Sequence, residues 1–161
     1  MSRAVLLSCV LLIGGCVTEP AGTTASASNI QWQIQSEINP ELKDSIDQFW
    51  QTRLSRQWDR SYQLEAQSIK RRISLELYRL YHNGGWTLKS ARIVSIQPEE
   101  NSGDHQIMAV TLVGHYTSPK GEDKTRWIKD YWLKENGKWR HILYDPLIFP
   151  FTKNLIKPGG K

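Results

Sequence analysis

The chain has 161 residues, 39% hydrophobic and 10% aromatic, with a formal net charge of +5. That length makes one domain able to bury a core unaided, and two cysteines exclude a disulfide-rich scaffold. The mild positive balance, spread along the chain apart from Lys70-Arg71-Arg72, suits an ordinary soluble surface or attraction to anionic lipid or cell wall, and nucleic acid is not read as a partner.

Arg3 opens the chain, and an apolar run follows from Ala4 to Ile13, broken only by Ser8. The run is too short to span a bilayer, which needs about 20 apolar residues, but it has the length of a signal-peptide core. Ile13-Gly14-Gly15-Cys16 then places an aliphatic residue, two small residues and a cysteine in succession. This resembles the lipobox of the bacterial lipoprotein family. The resemblance implies diacylglycerol, carrying chains such as palmitate, on Cys16, cleavage of the Gly15–Cys16 bond, and acylation of the new amino terminus. In enterobacterial members an Asp after the cysteine retains the protein in the inner membrane. Val17 stands there, which implies the outer membrane, facing the periplasm. Two or three acyl chains, at ~0.8 kcal/mol per buried methylene, anchor stably where one is marginal. With Cys9 leaving in the signal and Cys16 lipidated, the mature chain has no disulfide.

The expected organisation is a signal peptide at 1–15, lipidated cysteine and tether at 16–29, a domain at 30–146 and a tail at 147–161. The tether is small and polar, with Pro20 and Gly22, and its reach is roughly 20 Å. Ile30, Trp32 and Ile34 alternate with glutamines, giving either a short strand or a helix running into Ile38. Asn39-Pro40-Glu41 is a helix start: a capping Asn, Pro at the first helical position, and an acid at the positive end. Leu42, Ile46, Phe49, Trp50 and Leu54 follow at helical spacing, and Trp58 extends the stripe. Residues 58–67 form a second helix or a bent continuation. Ser74 caps a further helix, which Asn83-Gly84-Gly85 stops.

From Trp86 the period changes to two. Four strands are predicted, over 87–97, 106–118, 125–135 and 138–145, with Asn136-Gly137 as the two-residue hairpin turn. That turn sets Glu135 opposite Lys138, Leu133 opposite Arg140, Tyr131 opposite Ile142 and Lys129 opposite Tyr144. Extending the alternation gives a face with Ala91, Ile93, Met108, Val110, Leu112, Tyr116, Trp127, Tyr131, Leu133, Ile142 and Tyr144. This more apolar face is expected to pack on the helices. The other carries Ser90, Arg92, Thr111, His115, Arg126, Asp130, Trp132 and His141. The apolar tail Leu147-Ile148-Phe149-Pro150-Phe151 is expected to dock on the domain rather than offer a contact site.

The fold class is therefore α+β, with N-terminal helices packed on a curved four-stranded antiparallel sheet. The spacing of Phe49, Trp50, Trp58 and Tyr62, the Ser74-led helix, and the Trp-rich hairpin ending in Asp145-Pro146 resemble the nuclear transport factor 2-like, or cone-fold, superfamily over about residues 40–146. The resemblance implies a sheet bent around the helices and enclosing a pocket. The superfamily includes ketosteroid isomerase and other small-ligand enzymes as well as non-catalytic members such as a type IV secretion subunit, so fold does not fix function.

No GxSxG, HExxH, P-loop or CxxC pattern occurs. The four His are far apart in sequence and no i,i+4 pair exists, so no metal and no cofactor is expected. The inward face holds no Asp or Glu, and the candidate pocket set on it is Trp127, Lys129, Tyr131 and Tyr144, with Lys129 either snorkelling or receiving an anion. With the facing reversed, Asp130, His115, His141, Thr111 and Arg126 would line the concave side, Asp130 as base and His141 as proton shuttle. The expectation is a non-catalytic, lipid-anchored binding or assembly module of the cell envelope. Its partner would be an envelope protein, a small ligand, or a second copy through the outer sheet face. The alternative is a small-molecule carrier or enzyme using the pocket.

Overall fold

A computed structural model describes residues 29–34, 36–100 and 105–156. The expected signal peptide, the expected Gly15–Cys16 cleavage and lipidation site, and the expected tether up to residue 28 lie outside the described residues. Among those described, no helix is long and apolar enough to cross a membrane.

The first strand, β1 (Ile30–Trp32), lies parallel to β2 (Thr87–Pro98), with Ile30 opposite Ala91. Helix α1 (Pro40–Leu54) starts where the capping pattern places it, with the Asn39 carboxamide oxygen accepting from Leu42 N at 3.1 Å. It ends before Arg56, whose φ of 54° is left-handed and breaks the helix ahead of α2 (Trp58–Leu64). A short α3 (Gln67–Lys70) follows. Helix α4 (Leu75–His82) is capped by Ser74, which accepts from Leu77 N at 3.2 Å.

Strands β3 (Ile107–Thr117), β4 (Asp123–Glu135) and β5 (Lys138–Ile142) continue an antiparallel meander from β2, in the order β1-β2-β3-β4-β5. The sheet therefore has five strands rather than four, mostly antiparallel with one parallel pair. Of the two alternatives open at 30–34 the short strand is the one found; alternation alone does not attach it to the sheet, because its partner lies about sixty residues away. Register shifts at Lys89 and Val94 insert extra residues into β2, the kind of bulge that bends a strand. The Asn136-Gly137 turn has φ of 50° and 76°, the left-handed pair that a two-residue hairpin needs. It pairs Glu135 with Lys138, Leu133 with Arg140 and Tyr131 with Ile142, as expected; β5 ends at Ile142, so Lys129 and Tyr144 do not pair.

The facing of β4 and β5 is the reverse of the expectation. Val110 pairs with Asp130 and Met108 with Trp132, so even residues of β4 share a face with even residues of β3. That face meets α1: Phe49, Trp50, Leu42 and Ile46 pack with Ala91, Ile93, Val110, Leu112, Trp132 and Trp139. Trp127, Tyr131, Leu133 and Ile142 therefore point to the opposite side. A second core covers one end of that side, where Ala66, Ile69, Ile73 and Tyr78 join Ile107, Ala109, Tyr131 and Ile142. The tail docks there through Phe149 and Ile156, carried by a 3-10 turn (Pro150–Thr152) and α5 (Lys153–Ile156).

Candidate functional site

The helix-facing side of the sheet, α1 and the end of α4 enclose an open cavity of about 370 Å³. Its floor is ionic. Asp130 of β4 and His141 of β5 are only 8% and 4% exposed, and His141 Nε2 lies 3.4 Å from Asp130 Oδ1. Behind His141 stands Glu65, fully buried, between α2 and α3. The backbone is extended at Glu65, and Ala66 N donates to the His141 carbonyl at 2.7 Å, which drives the carboxylate under the sheet edge. Glu65 Oε1 accepts from His141 Nδ1 at 2.9 Å and from the Tyr78 hydroxyl at 3.0 Å, while Oε2 accepts from Leu143 N at 3.0 Å. The imidazole also stacks on Phe49, with centroids 4.0 Å apart.

Burial works against a charge on His141, but the Glu65 and Asp130 carboxylates on either side outweigh it and hold the proton up to about 9. His141 is thus an imidazolium at neutral pH, set between the side chains of Glu65 and Asp130. Glu65 spends its oxygens on three donors. Asp130 Oδ2, by contrast, is buried with no hydrogen-bond partner among the described residues.

The walls are aromatic and cationic. Arg53 of α1 lies over Trp58 and Phe49, its guanidinium carbon 5.3 and 5.8 Å from the ring centroids. Its Nη1 is 2.7 and 2.8 Å from the two ring nitrogens of His82. Burial, Arg53 and then His141 push His82 down to about 2, so it is a neutral ring accepting from a cation. Arg126 covers Trp86 at 4.7 Å and Arg56 covers Trp58 at 6.0 Å. Among the described residues, none of Arg53, Arg56 and Arg126 has a carboxylate within ion-pair distance. Tyr116 completes the wall by folding over Gly114; a β-carbon at Gly114 would lie 2.6 Å from the Tyr116 ring.

The four residues expected to form a pocket do not gather in this cavity. Trp127 is 69% exposed on the opposite face. Lys129 reaches outward to Glu99 at 3.1 Å, Tyr131 is buried in the second core, and Tyr144 packs on Tyr131 with centroids 5.0 Å apart. Lys129 and Tyr144 nonetheless count among the residues that line the cavity, whereas Trp127 and Tyr131 do not. Of the reversed-facing set, Asp130, His141 and Arg126 line the cavity, while Thr111 and His115 stay outside, because the reversal affects β4 and β5 and leaves β3 as expected. Arg53, Glu65 and His82 were not anticipated. Arg53 had a legible signal: it lies four residues after Phe49 and three after Trp50, on the buried stripe of α1. Glu65 had none, since its partner is 76 residues away.

Among the described residues, no group of three or more His, Cys, Asp or Glu is placed to hold a metal ion. The cavity offers a carboxyl oxygen without a partner among the described residues, a proton on His141 and guanidinium groups without a carboxylate partner among those residues. No protein-family model matches the chain, and no curated protein does. Among solved structures, it is similar to the solution structure of a SEC-C motif containing protein from Rhodopseudomonas palustris. The TM-score is 0.49 and the identity 8%, over 60% of this chain and 71% of that one. Likeness at that level carries nothing about the site.

Proposed function

We propose that the protein is a lipid-anchored component of the bacterial cell envelope, held at the outer membrane through Cys16, whose cone-like domain binds a small ligand in the cavity between α1 and the sheet. The observation that carries the ligand reading is the buried Asp130 side chain lining the cavity, with an oxygen that no group among the described residues satisfies. Buried polar atoms left alone cost roughly 1–3 kcal/mol, and they persist where a ligand or water satisfies them. Convergent polar groups in a cavity of a few hundred Å³ are the ordinary form of a small-molecule site. The lipobox residues Ile13-Gly14-Gly15-Cys16 support the anchor.

Two measurements test this. Intact mass of the envelope-extracted protein should exceed the sequence mass by acyl chains, and Cys16→Ser should abolish the increment; an unmodified wild-type chain refutes the anchor. For the cavity, a panel of neutral, anionic and cationic small molecules is screened for thermal stabilisation of the full chain. A compound that stabilises wild type but not the cavity-filling Leu88→Phe supports the ligand reading. A panel without any stabilising member overturns it. The assembly-module reading draws instead on exposed Leu147 and Ile148, 91% and 59% accessible beside the docked tail. It requires a complex that Leu147→Ser with Ile148→Ser disrupts while cavity variants leave it intact.

A further inference from the structure

Two unlike charges line the cavity, Arg53 from the helical side and Asp130 from the sheet; Asp130 shares Oδ1 with His141, and its Oδ2 has no partner among the described residues. The Arg53 guanidinium lies against Phe49 and Trp58 and is hydrogen-bonded to the neutral His82. No carboxylate lies within ion-pair reach of it among the described residues. Asp130 comes from the sheet, more than nine-tenths buried, with Oδ2 unpartnered. Arg53, Asp130 and Tyr116 line the same cavity, which places the two poles in one chamber.

A purely anionic ligand would satisfy Arg53 but bring no donor to Asp130 Oδ2, since His141 faces Oδ1. A purely cationic one would satisfy Asp130 but meet three guanidinium groups. Only a ligand bearing both functions satisfies both walls. The aromatic lining, Trp58 and Trp86 above all, suits an apolar or aromatic body between the poles. Resting on the small-ligand reading above, we propose that the cavity takes a compact bipolar molecule. A carboxylate sits on Arg53, and a hydrogen-bond donor, ammonium or hydroxyl, sits on Asp130. This is the chemistry of an α-amino or α-hydroxy acid with an apolar side chain.

Four probes of nearly one shape test it: L-phenylalanine, 3-phenyllactate, 3-phenylpropionate and 2-phenylethylamine, titrated calorimetrically into the full chain in detergent micelles. The expected result is at least tenfold tighter binding of the better of the first two than of either of the last two. The ranking of phenylalanine against phenyllactate then tells ammonium from hydroxyl. Arg53→Gln should weaken phenylalanine and phenylpropionate and spare phenylethylamine. Asp130→Asn should weaken phenylalanine and phenylethylamine and spare phenylpropionate. A single-function probe binding as tightly as both bifunctional ones overturns the proposal, as do variants that weaken all four probes equally. If a variant does not fold, the wild-type series still decides. If none of the four binds while another compound stabilises the chain, the bipolar assignment falls and the cavity reading stands; if nothing binds, both fall.

Discussion

Deprotonating His141 should cost the fold about 3 kcal/mol. Its ring holds a proton up to about 9 in the folded chain, against an ordinary value of 6.5. At ~1.4 kcal/mol per tenfold change in proton affinity, that gap is worth roughly 3 kcal/mol. The folded state binds the proton more tightly than the unfolded chain does. The contribution is therefore fully present below pH 6.5 and is lost as the pH rises through about 9. Urea denaturation at steps from about pH 6 to about pH 10 should show the midpoint falling across that window. Burial raises Tyr78 and Tyr116 above the ordinary tyrosine value, so their effect belongs to higher pH and does not blur the step. His82, pushed down to about 2, acts on the other side: the unfolded chain takes up its proton below 6.5 and the folded chain does not, so stability also falls on acidification. Glu65→Gln removes the carboxylate that faces Nδ1 and should both weaken the protein and flatten the alkaline step; His141→Gln should abolish the step. A midpoint that is level from pH 6.5 to 9, or a step that survives in His141→Gln, refutes the assignment.

Gly114→Val should cost about 1–3 kcal/mol by overpacking, because its branched side chain meets the Tyr116 ring and the Ile128 side chain, and it should displace Tyr116 from the cavity wall. A melting temperature within a degree of wild type would refute the close approach. Phe149→Ala removes a buried ring from the second core and should cost about 3 kcal/mol while exposing residues 150–156 to limited proteolysis; a tail as resistant as in the wild type would show that it is held by something else.

The helix starts at Asn39 and Ser74 and the Asn136-Gly137 hairpin were legible because each is a local device: a side chain on a nearby amide, or two residues at positive φ. Inside the hairpin even the residue-by-residue pairing followed from the turn. The facing of β4 was not legible, for a physical reason. Alternation reports facing only when one side of a strand is wet. At its C-terminal end β4 is dry on both sides, with Trp132 against α1 and Tyr131 under the docked tail. The parity between β3 and β4 rests on a loop of several residues around Gly121, whose length does not by itself set a register. The apolar count then pointed the wrong way, because Trp127 is a large exposed residue and Asp130 and His141 are buried charges that counted as surface. What makes those charges tolerable inside is Glu65, and nothing near position 65 announces it.

The docked tail also sets an order of events in time. The inner core, from Ile30 to Trp139, has all its members before the last strand ends. The outer core waits for Phe149 and Ile156. Synthesis delivers Ile156 after every strand it covers, so Ile107, Ala109, Tyr131 and Ile142, covered in part by Ala66, Ile69, Ile73 and Tyr78, wait longer for the rest of their cover than their neighbours on the other face. That interval, rather than any surface of the finished domain, is when a chaperone that recognises apolar strands has something to hold.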